Sequence, residues 1–259
     1  MFNPAEITRA LSNEPFGQRL HFFRSIGSTN AEAGRLAAAG APEGTLVVAD
    51  EQTAGLGRAG RRWFTQPGSG LAVSFVLRPT LPGNRVGHLA LLGSVATAQA
   101  IESLCNLQAQ LKWPNDICVH GKKVAGILGE TSHGAAGPEW AVLGIGVNVH
   151  AGPPAHAQMR QPASFLAEQC EDAPDRVELL LQLVHALAEH YPKLGKAPLL
   201  AAWERRMIWR GKRVCGLNPE GTPIEGIALG LDPNGALRLQ PDDGRALSIA
   251  TGDVSLSDA

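Results

Sequence analysis

The sequence contains no Cys-x-x-Cys pair, no His-Glu-x-x-His, no Gly-x-Ser-x-Gly and no Walker-type Gly-Lys-Ser/Thr loop. These absences exclude a zinc ribbon or dithiol redox site, a zinc hydrolase, a serine hydrolase elbow and a P-loop NTPase. The four cysteines, Cys105, Cys118, Cys170 and Cys215, stand far apart and read as small buried hydrophobes of a reducing cytosol. No apolar run reaches the roughly 18 to 20 residues a membrane span needs. The longest weakly polar stretch, Leu89 to Ile101, is broken by Gly93, Ser94, Thr97 and Gln99. Glu6, Arg9, Glu14 and Arg19 interrupt the amino-terminal segment before a signal-peptide core could form. The expectation is a soluble cytoplasmic protein with no membrane partner.

Net charge is scarce too. Lys plus Arg number 23 against 24 for Asp plus Glu, a balance of −1, which argues against a chain that coats nucleic acid or an acidic surface. With 259 residues, 44% hydrophobic and 18% charged, the chain suits one large globular domain with a small one appended.

Asn3-Pro4 signals a short helix start, LHFFRSI (20–26) reads as a strand, and Thr29 with Glu32 predicts a capping box opening a helix through Ala39, closed by Gly40. TLVVAD (45–50) and LAVSFVL (71–77) are strand-like, and 86–104 is an Ala- and Leu-rich helix. Strands are expected at 111–113, 116–120 and 123–130, the last two joined by a tight turn at His120-Gly121, and again at 140–149. Helices follow at 163–170, 174–191 and 198–207. Neighbouring strands joined as hairpins favour an α+β mixed sheet over a doubly wound parallel one. From Gly211 short strands (226–231, 236–240, 246–250) alternate with turns at Asn218-Pro219, Asp232-Pro233-Asn234-Gly235 and Asp242-Asp243-Gly244, as in a small barrel. The expected division is 1–210 and 211–259, with an Ala/Pro/His loop near 151–157.

One segment stands out electrostatically: Gln52 to Ile101 holds no acid but carries Arg58, Arg61, Arg62, Arg78 and Arg85. Three of these lie in GLGRAGRRW (55–63), whose glycines let backbone N–H groups approach an anion. An anion-binding loop and a merely solvated basic loop both fit. A dinucleotide site does not, because no helix follows the glycines and no acid stands about 20 residues on to hold a ribose. In LKWPNDI (111–117), Pro114 breaks the strand and displays Lys112, Asn115 and Asp116, where plain turn chemistry competes with acid, base or Mg²⁺ roles. Lys123 in KKVAGILGE is either a snorkelling edge charge or a cation aimed at a ligand beside Gly126. GIGVNV (144–149) puts two glycines in a strand, which weakens it unless something packs closely there, and Asn148 is a costly amide if unpartnered. Ser28-Thr29-Asn30 can cap a helix or hold a polar head group.

Taken in order and at these spacings, Ser28-Thr29-Asn30, Gln52 with GLGRAGRRW, KWPND, KKVAGIL and GIGVNV resemble the biotin protein ligase family over roughly residues 20 to 255. The resemblance implies a seven-stranded mixed sheet of the class II aminoacyl-tRNA synthetase-like type and a carboxy-terminal SH3-like barrel. It implies that biotin and ATP, with Mg²⁺, form biotinyl-5′-AMP and pyrophosphate, and that the biotinyl group passes to a lysine of a biotin carboxyl carrier protein. By similarity, Arg58, Lys123 and Asp116 carry the chemistry, Asp116 standing near Mg²⁺. Biotin would be held by Ser28, Thr29, Asn30, Gln52, Gly55, Leu56, Gly57, Arg58, Lys123, Gly126 and Gly144. ATP would be held by Arg58, Arg61, Trp63, Lys112, Asn115, Lys123 and Asn148, with Trp63 anchoring the glycine loop, a lid over the site.

Leu56 departs from the commoner arginine of GRGRxGR. About twenty residues precede the matching segment, too few for the winged helix of the repressor-type members, so a monofunctional ligase without DNA binding is expected. Homodimerisation through the central sheet is a family expectation. The rival readings are a lipoate or octanoate ligase or transferase, disfavoured by the missing arginine and triple-glycine signature, and a noncatalytic nucleotide- or carrier-binding module.

Overall fold

The computed structural model describes residues 2–132, 138–154, 162–217, 222–242 and 244–256. The expected turn at Asn218-Pro219, Asp243 and residues 155–157 of the Ala/Pro/His loop lie outside the described residues. Seven strands make the larger sheet: β1 (Leu20–Phe23), β2 (Leu46–Ala49), β3 (Gly70–Leu77), β4 (Gln110–Lys112), β5 (Asp116–Val119), β6 (Lys122–Thr131) and β7 (Ala141–Asn148). Their order is β1-β2-β3-β7-β6-β5-β4. Only β1 and β2 run parallel, and the β5–β6 hairpin turns at His120 and Gly121, both with positive φ, so the mixed α+β expectation holds.

Alternation decides what each face does. Odd-numbered side chains of β3 and β7, such as Phe75, Leu143 and Ile145, enter the main core with α3 (His88–Cys105) and α5 (Arg176–His190). The long apolar stretch is thus a helix enclosed by protein. Among the described residues no helix is long and apolar enough to cross a membrane. The opposite face is covered only in part: α2 (Thr29–Ala38) packs Ala33 and Ala37 on Val47, Val76 and Val142, and the rest of that face, over β7, β6 and β5, stays open as a cleft floor.

α1 (Pro4–Ala10) starts at the predicted Asn3 cap. Three expectations need correction. The capping box does not form: Ser28 caps α2, while Glu32 turns to Arg35, its ion-pair partner at 2.7 Å. The helix at 163–170 shrinks to α4 (Leu166–Gln169), since Pro162 and Ser164 exchange backbone hydrogen bonds with Lys123. The last helix, α6 (Ala197–Glu204), stops early because residues 206–208 pair with Leu111 beyond the β4 edge.

The second sheet is antiparallel, ordered β11-β10-β9-β8-β12, with β8 (Arg213–Leu217), β9 (Pro223–Leu231), β10 (Leu237–Gln240), β11 (Leu247–Ile249) and β12 (Ser255–Leu256). β8 and β12 were not legible as strands: one is interrupted by Cys215-Gly216, and the other has two residues. This sheet meets the larger unit at several polar points. Trp113 Nε1 donates to Gly235 O at 3.1 Å, Leu231 N to Glu204 Oε1 at 2.6 Å, and His88 Nε2 lies 3.1 Å from Pro233 O. Phe75 is fully enclosed, in edge contact with Phe16. Phe75→Ala is expected to cost about 3–5 kcal/mol, read as a lowered urea midpoint with unchanged slope.

Candidate active site

Ser28, Thr29 and Asn30, at the start of α2, are all at least nine-tenths buried, so their polar atoms need partners. Ser28 accepts from Ala31 N. Gln52 Oε1 accepts from the Thr29 backbone at 2.8 Å and from its hydroxyl at 3.1 Å. The Asn30 amide donates to Glu130 Oε2 at 2.6 Å, and its carbonyl accepts from Ser74 Oγ at 2.6 Å. Ser74 and Glu130 were missed in the sequence. The only signal was one hydroxyl in the apolar run LAVSFVL, on the same face as Ala72 and Val76.

The floor beside this network is bare. A Cβ on Gly144 would lie 1.9 Å from Asn30 Oδ1, and one on Gly146 would lie 2.3 Å from the Trp63 indole. Glycine is thus the residue that lets the amide and the indole reach the backbone of β7. A Cβ on Gly126 of β6 would lie 3.1 Å from the same indole, so the structure places the ring over the glycine floor.

Lys123 reaches the same face through a β-bulge. Asp116 pairs with Gly126 and Ile117 with Ala125, but Cys118 pairs with Lys123, which leaves Val124 extra. Strict alternation would put Lys123 with Ala125 and Ile127 in the core. The bulge moves it to the cleft, where Nζ lies 2.5 Å from Asp116 Oδ1 and 5.6 Å from the Trp63 ring centroid. Lys123 and Asp116 side chains are only 16% and 13% exposed, so the pair is held largely away from water.

Asn115 is locked by reciprocal bonds with Ile127, Nδ2 donating to Ile127 O at 2.7 Å and Ile127 N to Asn115 O at 3.0 Å. Its Oδ1 accepts from Arg58 Nη1 at 3.4 Å, tying KWPND to the glycine loop. Burial is the largest influence on Arg58 and lowers its pKa, opposed by Asp253 and Asp116. Arg61 Nη2 donates to Asp253 Oδ1 at 2.9 Å, so the carboxy-terminal segment also borders the cleft. Lys112 lies over Trp209 at 5.0 Å. Burial pushes the Cys118 thiol up to about 12, so it stays protonated and takes no part as a nucleophile at neutral pH.

The cleft encloses about 580 Å³. Its lining brings together the predicted Ser28, Thr29, Asn30, Gln52, Leu56, Gly57, Arg58, Arg61, Trp63, Lys112, Asn115, Asp116, Lys123, Gly126 and Gly144. Two predicted residues fall elsewhere. The Asn148 amide donates inward to Ser164 O at 3.0 Å, and Asn148 is no part of the lining. Gly55 sits behind the loop, where a Cβ would meet Trp63 O at 2.5 Å, so it lets the loop stems approach one another. Leu56 borders the mouth but is 52% exposed.

Gly144→Ala is expected to displace Asn30 and lose about 1–3 kcal/mol of stability. Gly27→Ala, where nothing lies within 4 Å of the new methyl, is expected to stay within about 0.5 kcal/mol of the parent. Chemical unfolding of both variants checks the pair.

Comparison with known proteins agrees with this arrangement. The pattern of the Biotin/lipoate A/B protein ligase family matches residues 22–148, and that of the Biotin protein ligase C terminal domain matches 211–257. The bifunctional ligase/repressor BirA of Bacillus subtilis (strain 168) is 35% identical over 256 residues, covering 97% of this chain and 78% of that protein. The biotin–[acetyl-CoA-carboxylase] ligase of Mycobacterium tuberculosis is 33% identical over 244 residues, 92% of this chain and 88% of that one. The structure of biotin protein ligase from Aquifex aeolicus in complex with biotin and ATP superimposes with a TM-score of 0.78 and 30% identity, over 94% of this chain and 100% of that chain. By sequence and by fold, this chain belongs to the biotin protein ligase family.

Proposed function

We propose that this chain joins biotin to ATP as biotinyl-5′-AMP, with release of pyrophosphate, and passes the biotinyl group to a lysine of a biotin carboxyl carrier protein. The observation that carries the reading is the order of chemistries across one sheet face. Hydroxyls and amides stand at the β3 and β7 end, glycine backbone with the Trp63 indole seated on it in the middle, and Lys123, Asp116 and the arginine loop at the β6 and β5 end. A polar ring, an alkyl chain and a carboxylate facing a triphosphate require that order.

In the first step a biotin carboxylate oxygen attacks the α-phosphorus and the bond to pyrophosphate breaks. Both reactants are anions, so preorganised cations lower the barrier most. Lys123, between the glycine floor and Asp116, serves the carboxylate and the α-phosphate. Arg58 and Arg61 serve the phosphates. In the second step the carrier lysine amine attacks the acyl carbon and AMP leaves, with Asp116 beside the incoming amine. Thr29, Asn30 and Gln52 hold the ureido ring, whose burial without partners would cost roughly 2–7 kcal/mol. Trp63, seated on the glycine floor, and Gly57 flank the ligand, and Lys112 and Asn115 border the nucleotide side.

Mg²⁺ bound with a triphosphate needs only one or two protein carboxylates. Asp116 fits that part, and among the described residues no group of three or more His, Cys, Asp or Glu forms a separate metal cage. The same proposal includes a cytoplasmic protein of two domains, 1–210 and 211–259, acting as a homodimer without operator DNA.

Incubation with ATP, Mg²⁺ and biotin, lipoate or octanoate in separate tubes is expected to give an adenylate with biotin alone by mass spectrometry. An adenylate only with lipoate or octanoate contradicts the substrate assignment, and none at all contradicts the reaction. Leu56→Arg is expected to lengthen the lifetime of the bound adenylate in a chase with unlabelled biotin. An unchanged lifetime assigns position 56 to its backbone alone.

A further inference from the structure

The glycine loop leaves the sheet from two adjacent antiparallel strands, the end of β2 and the start of β3. From base to tip its stems are linked by cross-loop hydrogen bonds: Gln52 N to Thr65 O at 3.1 Å, Trp63 N to Gly55 O at 2.9 Å and Gly57 N to Arg61 O at 2.6 Å. Below them lies a buried ion pair that no part of the proposed chemistry uses. Arg176 Nη1 donates to Asp50 Oδ1 at 2.7 Å and to Gly70 O at 3.1 Å, while Asp50 Oδ1 also accepts from Gly68 N at 3.3 Å. The two side chains are 7% and 6% exposed.

This pair is a poor choice for stability alone. Both charges are desolvated, and apolar replacement of such pairs is often neutral or stabilising. Arg176 is also the first residue of α5, where the positive end of the helix dipole disfavours a cation. What the pair does provide is connection, because one guanidinium nitrogen reaches both stems of the loop, and the group is seated over the Phe2 ring with Cζ 4.2 Å from the centroid. Asp50 precedes Gln52 by two residues, and Gln52 holds Thr29.

We propose that Asp50 and Arg176 are positioning residues that clamp the base of the glycine loop, and so set the placement of Gln52, Trp63 and Arg58 over the cleft. The inference deepens the ligase reading and rests on it for its binding readout. Removing one partner alone would strand a buried charge and threaten folding. The informative variant is therefore Asp50→Asn with Arg176→Met, which keeps an acceptor for Gly68 N and fills the space of the guanidinium stem.

Two measurements on the full chain test the clamp. Amide hydrogen exchange without ligand is expected to quicken at least about tenfold across 52–65 in the double variant and to stay unchanged in the β5–β6 hairpin. Biotin titration is expected to show affinity weakened by about tenfold or more, as misplaced contact residues would produce. Unchanged loop exchange and unchanged biotin affinity in a folded double variant overturn the proposal. So does acceleration spread evenly over the whole sheet, which would mark a purely structural pair. If the parent protein itself binds no biotin, the ligase reading fails, and the exchange arm still decides whether the pair clamps the loop.

Discussion

Bringing a carboxylate to a phosphate requires a cation that stays in place when neither anion is present. In the proposed reaction that requirement would fall on Lys123, which is held 2.5 Å from Asp116 on a mostly enclosed sheet face. Enclosing a lone ammonium is costly, and a counter-ion of its own offsets that cost and holds the side chain aimed. Asp116 comes from the neighbouring strand, Asn115 beside it engages Arg58, and Arg58 belongs to the loop that covers the cleft. The hairpin, the KWPND turn and the glycine loop are in this way built around one ammonium group.

The same sheet face must accept an apolar ligand and bring it close to the backbone. Ordinary side chains at 144 and 146 would displace the Asn30 amide and the Trp63 indole that line it, as the contacts a Cβ would make with them show. Bare backbone would destabilise an exposed strand. In β7 the cost is offset on the opposite face, where Leu143, Ile145 and Val147 are buried in the main core. One strand thus carries stability on its odd positions and the site on its even ones.

Much of this was legible before the structure. Alternation and turn residues gave most strands of the larger sheet, and the basic, acid-free segment marked the loop. The helix cap at 28–30 was legible as either cap or binding group, and the structure shows both: Ser28 caps α2, and all three residues line the cleft. The direction of Lys123 was not legible, because a bulge reverses the parity of a strand without leaving a composition signal. The inward partner of Asn148 was not legible either. A polar side chain beside a glycine-rich strand looks functional, but its partner, the Ser164 carbonyl, belongs to a distant loop. Partners far apart in sequence also hid Asp253, which reaches Arg61 from the carboxy-terminal segment.

The central claim is that the bulge exists to put one cation between two anions. It is tested most directly by the single-turnover rate of pyrophosphate release from ATP and biotin in Lys123→Gln, a variant one atom shorter that stays polar but lacks charge. The account predicts a fall of about 10²- to 10³-fold in the folded variant, the loss associated with one transition-state stabilising group. Release at the parent rate in the folded variant would contradict it.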